Sequence, residues 1–168
     1  SKQSTDDFVS CKLQNPTETC AKICMLIKRR INDLSMLLAG ENLSQVKRAL
    51  RRNLLNSIWS HILTLKFDES GALRLMVDIE SYNQVCSVET SSEEQRKARK
   101  KGSKTFETLR TMASLLAVHP SEINNLFPTV VSSINILPAD LLRFVERRND
   151  WHHCHKMIKN LVQGIFNV

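Results

Sequence analysis

Hydrophobic residues recur at steps of three and four along most of the chain, which is the period of an α-helix with one buried face. Asn15 is predicted to cap the first helix, with Pro16 in its first turn and Glu18 three residues after the cap. Gly40 supplies a stop signal, so the pattern predicts a helix over about residues 16–39. Its apolar stripe is Cys20, Ile23, Cys24, Ile27, Ile31, Leu34 and Leu38.

Two further helices follow the first. Ser44 is predicted to cap the second, which extends to about Phe67, and Asp68 is predicted to cap the third, over about 69–87. Gly71 lies in the first turn of the third helix, where a glycine costs little. The second stripe is Val46, Leu50, Leu54, Ile58, Ile62 and Leu65. The third is Leu75, Met76, Ile79, Tyr82 and Cys86.

Two segments carry no helical stripe. Residues 89–104 (ETSSEEQRKARKKGSK) have no apolar face, so they cannot bury enough surface to offset the entropy of ordering. We predict a solvated loop there, or a frayed extension of a neighbouring helix. Residues 1–14 precede any capping or core signal and are predicted to be flexible. Residues 15–168 are then expected to form one domain, and the initial serine suggests a fragment of a longer protein.

A fourth helix is predicted over about residues 104–118. It ends at His119-Pro120, because the residue before a proline avoids the α conformation. Its inward residues are Phe106, Leu109, Met112, Ala113 and Leu116.

The segment after this helix is ambiguous. A short helix through Ile123 and Leu126 fits before Pro128. Residues 128–137 fit either a helical turn or an extended connection, and the helical neighbours favour the helix.

The last helix is predicted to begin at Pro138, with Asp140 in its first turn. Its seam is Leu141, Phe144, Arg148, Trp151, His155, Ile158, Val162 and Ile165. One continuous helix of about 28 residues, ~40 Å long, would result. The fold class predicted from all these patterns is all-α, an elongated helical bundle of about five to six helices.

Composition agrees with this fold class and limits the location of the protein. The chain has 168 residues, of which 42% are hydrophobic, with only four glycines and four prolines. Five cysteines without a secretory signal favour reduced, buried thiols in a cytosolic protein. No apolar run approaches the ~18 residues that a membrane span needs.

The stretch RRNDWHHCHK, residues 147–156, is the first candidate for metal chemistry. Only His152 and His155 share a helix face, whereas His153 and Cys154 are predicted to point elsewhere. A zinc site needs three or four ligands, so we interpret these residues as ordinary helix positions, with no metal and no cofactor. The chain has no glycine-rich phosphate loop, nucleophile elbow or paired carboxylates. We therefore predict a non-enzymatic protein.

Basic residues give a second functional signal. The net charge is +7 and the pI about 9.4, which favours an acidic partner. Two clusters of cations are candidate contacts for an anionic surface: Lys47, Arg48, Arg51 and Arg52 in the second helix, and Arg96, Lys97, Arg99, Lys100 and Lys101 in the charged segment. They fit a solvated face or contacts with anionic phospholipid. Nucleic acid is less favoured, because aromatic residues make up only 5% of the chain and are not interleaved with the cations.

Three segments resemble the C-terminal part of exocyst subunits of the Sec-ten type. They are GALRLMVDIESY (71–82), the stretch from Phe106 to LLAVHP (115–120), and LLRFVERRNDW (141–151). The resemblance covers about residues 46–156, and looser versions of these signals occur in other rod-like tether subunits. The residues that carry it, for which it implies structural roles, are Gly71, Asp78, Tyr82, Phe144, Arg148, Asp150 and Trp151.

The resemblance implies a C-terminal helical-bundle module of a multisubunit vesicle-tethering complex. Such a module acts through packing surfaces and holds vesicles near a target membrane before fusion. The implied partners are other tether subunits, a small GTPase or SNARE, and anionic phospholipid. The implied location is cytoplasmic, at the periphery of membranes or vesicles. The alternative from the residues alone is a basic helical module that binds anionic lipid or nucleic acid.

Overall fold

The computed structural model describes residues 15–86, 105–134 and 136–166. These residues form seven α-helices and one short 3-10 turn, with no strand beyond a single isolated bridge. The helices are α1 (Glu18–Leu37), α2 (Gly40–Ile62), α3 (Glu69–Val85), α4 (Phe106–Ala117), α5 (Ile123–Ser133), α6 (Pro138–Val145) and α7 (Trp151–Phe166), and the 3-10 turn is Pro120–Glu122. The all-α prediction is confirmed. The predicted flexible segment 1–14 and the charged segment 89–104 lie outside the described residues.

The first two helices begin at other residues than predicted. Thr17, not Asn15, caps α1, and its Oγ1 accepts a hydrogen bond from the backbone N–H of Cys20 at 3.2 Å. Helix α2 begins at Gly40, ahead of the predicted cap Ser44. Gly40 has a positive φ of 56°, a left-handed conformation that glycine adopts without steric cost. Gly40, which was predicted to end the first helix, is therefore also the first residue of α2.

Helix α2 ends at Ile62, earlier than the predicted Phe67. The backbone N–H of Phe67 donates to the carbonyl of Arg147 at 2.8 Å, and the Phe67 carbonyl accepts from Asn149 at 2.8 Å. These long-range bonds need an extended backbone at Phe67, which a continued helix cannot provide. Asp68 then caps α3 as predicted, its Oδ1 accepting from the N–H of Gly71 at 2.7 Å.

Helix α4 ends at Ala117, just before His119 and Pro120, as the proline predicts. Helix α5 includes Pro128 and extends to Ser133. The helical interpretation of residues after Pro128 is therefore correct as far as Ser133, although proline removes one helical donor.

The prediction of one long last helix is wrong. Helix α6 ends at Val145, and α7 begins only at Trp151. The residues between them form a turn in which Arg148 is 3% exposed. A guanidinium needs several acceptors when buried, and the turn places it beside backbone carbonyls that a continuous helix would not reach.

The break also changes which side of α7 is buried. Its buried residues are Cys154, Ile158 and Val162, which recur at steps of four. Cys154 was predicted to point away from the seam and instead lies in the core, whereas Ile165 was predicted to be inward and is 37% exposed.

Helix α4 forms the centre of the core, since seven of its twelve residues are buried. A helix that is apolar around most of its circumference must be surrounded by others, and α4 contacts α3, α5 and α6. Helix α1 packs on α3, and α7 packs on α5 and α6. Trp59 joins α2 to α6, with its ring centroid 5.5 Å from that of Phe144. In the described ranges, no helix combines the length and apolarity that crossing a membrane requires.

Gly71 and Gly164 provide a matched test of the α3 cap. A Cβ at Gly71 would lie 3.0 Å from Asp68 Oδ1, whereas a Cβ at Gly164 would meet nothing within 4 Å. Glycine to alanine in a helix stabilises by about 0.5–1 kcal/mol. We expect Gly164→Ala to raise the free energy of unfolding in urea, and Gly71→Ala to gain less or to lose stability because the cap must shift. Equal gains would contradict the role of Gly71 in the cap.

Candidate functional site

Asp78 on α3 binds Thr17, the residue that caps α1, with both carboxylate oxygens. Its Oδ1 accepts from the backbone N–H of Thr17 at 2.7 Å, and its Oδ2 accepts from Thr17 Oγ1 at 2.7 Å. Thr17 Oγ1 in turn accepts from the N–H of Cys20. A carboxylate near a helix N-terminus is favourable, so this Asp78 cluster (Thr17, Cys20 and Asp78) holds α1 on α3.

The cysteines and tyrosine beside Asp78 are not poised for nucleophilic chemistry. Burial, followed by the charge of Asp78, raises the pKa of the Cys20 thiol to about 12. Burial also raises the pKa of Cys24 and of Tyr82 above their ordinary values. The Cys20 thiol is therefore protonated at neutral pH, and its Sγ donates to the Asp78 carbonyl at 3.6 Å.

An open groove of about 560 Å³ lies between α1, α2 and α3, next to the Asp78 cluster. Most of its lining is apolar, and Asp78 and Tyr82 lie along it. Its apolar residues include Ile23, Leu54, Ile58, Ile62, Leu65 and Leu75. This shape suits packing against another apolar surface.

Arg148 binds the C-terminal end of α4. Its Nη1 donates to the carbonyl of Leu115 at 2.6 Å and to that of Val118 at 2.9 Å. Its Nε and Nη2 donate to the two oxygens of Asp150, each at 2.7 Å. The last carbonyls of a helix lack helical partners and favour a cation. This Arg148 cluster (Arg148, Asp150 and the Leu115 and Val118 carbonyls) thus joins the α6–α7 turn to α4.

The hydrogen bonds from Arg148 lower the pKa of Asp150 below its ordinary value. Asp150 is partly exposed, whereas the Arg148 side chain is 4% exposed. Phe144 is fully buried, and Trp151 lies half-buried near His155, with ring centroids 6.1 Å apart. The structure therefore places these family-resemblance residues around one helix junction.

Arg51, a candidate contact for anionic surfaces, is directed into the protein. Its guanidinium donates to the Cys86 carbonyl at 3.1 Å and to Asn83 Oδ1 at 2.8 Å. It also lies 4.9 Å from the centre of the Phe106 ring, in the range of a cation–π contact. This role was missed from sequence, because the partners are 32 and 35 residues away along the chain.

The other candidate cations differ in their surroundings. Arg48 forms an ion pair with Glu41, and the pairing lowers the pKa of Glu41. Lys47 is half-buried and Arg52 is exposed. The candidates Arg96, Lys97, Arg99, Lys100 and Lys101 lie outside the described residues.

The histidines near the start of α7 do not converge on one point with the cysteine. His152 and His153 are exposed, while the Cys154 thiol faces the core and donates to the Asp150 carbonyl at 3.5 Å. His155 Nδ1 lies 3.0 Å from the carbonyl of His152. Among residues 15–86, 105–134 and 136–166, no group of three or more His, Cys, Asp or Glu side chains could hold a metal ion.

Comparison with known proteins gives two matches. A family model described as "Exocyst complex component Sec10-like, alpha-helical bundle" matches residues 1–158. "Exocyst complex component 5" of Oryza sativa subsp. japonica is 28% identical over 148 residues, which cover 88% of this chain. The matched part is 17% of the length of that rice protein. No solved structure matches the chain significantly.

Removal of the Asp78 cluster should loosen α1. Hydrogen bonds to a charged group contribute about 1.5–3 kcal/mol, so we expect Asp78→Ala to lower the free energy of unfolding by about 2 kcal/mol and Thr17→Val by about 1 kcal/mol. In a double-mutant cycle by urea unfolding, the two losses should be coupled by more than ~0.5 kcal/mol. Glu80→Ala removes a half-exposed carboxylate of the same helix, whose partners Gln84 and Arg110 lie outside the Asp78 cluster, and is the control. Additive losses would show that Thr17 and Asp78 act independently.

Removal of Arg148 should be more costly. Arg148→Gln leaves a partly buried carboxylate and helix-end carbonyls without their cation, so we expect a loss of about 3–5 kcal/mol. The exposed residue Arg143→Gln should change stability by less than ~0.5 kcal/mol. Thermal and urea unfolding measure the stability loss of each variant. Similar losses at the two positions would contradict the role of Arg148 in joining the α6–α7 turn to α4.

The lowered pKa of Asp150 adds a pH signature. Because the folded-state pKa lies below the unfolded value, this pair contributes stability that is fully present above about pH 4. That stability is lost as the pH falls through the folded-state pKa. We therefore expect the unfolding free energy of Arg148→Gln to depend less on pH below about pH 4 than that of the wild-type chain. Parallel pH profiles would contradict the assignment.

Proposed function

Because the chain belongs to the Sec10-like family of exocyst complex components, we propose that it is a non-enzymatic helical-bundle module of a multisubunit vesicle-tethering complex. In this function the module is a scaffold: it presents packing surfaces to other subunits while the complex holds a vesicle at its target membrane. The family match over residues 1–158 is the observation that carries the proposal.

The hydrogen bonds made by the buried polar groups support the proposed function as a scaffold. Asp78 and Arg148, which would be the first candidates for acid–base or anion-binding roles, are engaged with helix ends. Arg51 is likewise engaged with backbone and amide oxygens. Groups held by short hydrogen bonds in this way fix the orientation of helices, which is what a module with rigid contact surfaces requires.

The proposed partners are other subunits of the same tethering complex. The open apolar groove between α1, α2 and α3 supports protein contacts, since such surfaces suit the burial of apolar side chains from a partner. A small GTPase, a SNARE and anionic phospholipid are further proposed partners. The proposed location is cytoplasmic, at the periphery of membranes or vesicles.

The alternative is a basic module for anionic lipid or nucleic acid, and the contacts of α2 reduce its support. Arg51 is directed inward and Arg48 is paired with Glu41. Among the described residues of the basic cluster in α2, only Lys47 and Arg52 then remain as candidate contacts with an anionic surface. Two surface cations contribute about 1 kcal/mol each near a charged membrane, which is weak for anchoring.

Capture from cytosolic extract tests the proposal against this alternative. We expect the immobilised chain to enrich other exocyst subunits, measured by quantitative mass spectrometry. The double variant Lys47→Glu, Arg52→Glu should capture the same subunits, because folding and apolar contacts are retained. Leu109→Asp, which places a charge in the fully buried core, should lose them because the bundle cannot form.

Two results would argue against a tether module. One is the absence of any trafficking protein from the captured set. The other is capture of only nucleic acid or lipid that the Lys47→Glu, Arg52→Glu variant fails to retain at low salt, where surface charges act most strongly.

A further inference from the structure

Helix α1 exposes an apolar surface on the side away from the core. Four of the eight exposed large hydrophobic residues in the described ranges lie on this helix, with exposures of 69% for Met25, 61% for Leu26 and 81% for both Met36 and Leu37. Exposure of this degree is unusual for adjacent pairs of large apolar residues. We define the α1 outer face as Met25, Leu26, Arg29, Asp33, Met36 and Leu37.

The two apolar pairs lie on the same side of the helix. Met25 and Met36 are eleven residues apart, which is about three helical turns and ~16 Å. Leu26 and Leu37 have the same spacing. Buried residues of α1, such as Cys20 and Ile27, lie on the opposite side, so the outer face has no partner within the described bundle.

Charged residues lie between the two apolar pairs. Among the described residues, Arg29 is exposed and forms no ion pair, and the ion pair of Asp33 is with Arg30 at 3.8 Å. An ion pair with this N–O distance at an exposed position contributes little to stability. Both charges are therefore available to a partner.

The outer face is symmetric about Ile31 in sequence. Met25 mirrors Leu37, Leu26 mirrors Met36, and Arg29 mirrors Asp33. When two copies of a helix pair antiparallel about a twofold axis, each residue lies at the same height as its mirror position in the other copy. Apolar residues would then face apolar residues at both ends, and each Arg29 would face an Asp33.

We propose that the α1 outer face is an interface between two copies of this chain, with the two α1 helices antiparallel about a twofold axis beside Ile31. The mirror pattern favours a second copy over other occupants, because a membrane or an unrelated helix does not require opposite charges at mirrored positions. The face is about 18 Å long, so the buried area is at the small end of specific interfaces and the dimer is weak.

Sedimentation velocity of the 168-residue chain over a wide concentration range tests the proposal. We expect a monomer–dimer equilibrium. In a dimer of the Arg29→Glu variant, two acidic side chains face each other at both Arg29–Asp33 positions. In a dimer of the Asp33→Arg variant, two arginines face each other at the same positions. Each should weaken association at least about tenfold, since two exposed pairs are lost and replaced by repulsion.

The decisive experiment is to mix the Arg29→Glu and Asp33→Arg variants. In a mixed pair, Glu and Asp of one copy face two arginines of the other, so association should return to about the wild-type strength. Lys28→Glu makes the same charge change as Arg29→Glu at an exposed position off the outer face, and should leave association unchanged. Circular dichroism checks that every variant is folded.

Any of the following results would overturn the proposal. One is a chain that stays monomeric at all concentrations. Another is a mixture of variants that associates no better than either alone, and a Lys28→Glu variant that associates as weakly as Arg29→Glu would also contradict it. The last is a monomeric chain that floats with phosphatidylcholine–phosphatidylserine vesicles and loses this binding in the double variant Met25→Gln, Met36→Gln, which would assign the face to a membrane.

Discussion

The buried guanidinium of Arg148 is the constraint on which the C-terminal half of the bundle depends. It satisfies two carbonyls at the end of α4, the central helix, and at the same time a carboxylate two residues further along its own chain. Desolvation of a cation is costly unless every donor finds an acceptor. The chain therefore leaves the helical path between α6 and α7, and this break determines the direction in which α7 packs.

Asp78 has the complementary role in the N-terminal half. A cation binds the carbonyl end of α4, while a carboxylate binds the amide end of α1, each matching the partial charge of a helix end. Both contacts join residues distant in sequence, 61 positions for Thr17 and Asp78 and 33 for Leu115 and Arg148. Apolar packing alone permits helices to slide, whereas these directional bonds fix where each helix begins or ends.

Local signals were sufficient to predict most helices but not their junctions. Periodicity, the Asp68 cap and Pro120 predicted α3 and α4 to within about two residues, because these depend on neighbours in sequence. The break before Trp151 could not be predicted, since it depends on carbonyls of α4 that only the fold brings near Arg148. The inward direction of Arg51 was missed for the same reason, as its sequence neighbours indicate only a basic helix surface.

The extended residue Phe67 has a consequence for how the bundle opens. Its two backbone bonds to Arg147 and Asn149, with the Lys66 ammonium on the Glu146 carbonyl at 2.6 Å, fasten the α2–α3 connection to the α6–α7 turn. Neither connection can detach alone without leaving backbone groups of the other unpaired. We therefore expect the amides of Phe67 and Asn149, although about 80 residues apart in sequence, to exchange with solvent as one cooperative unit.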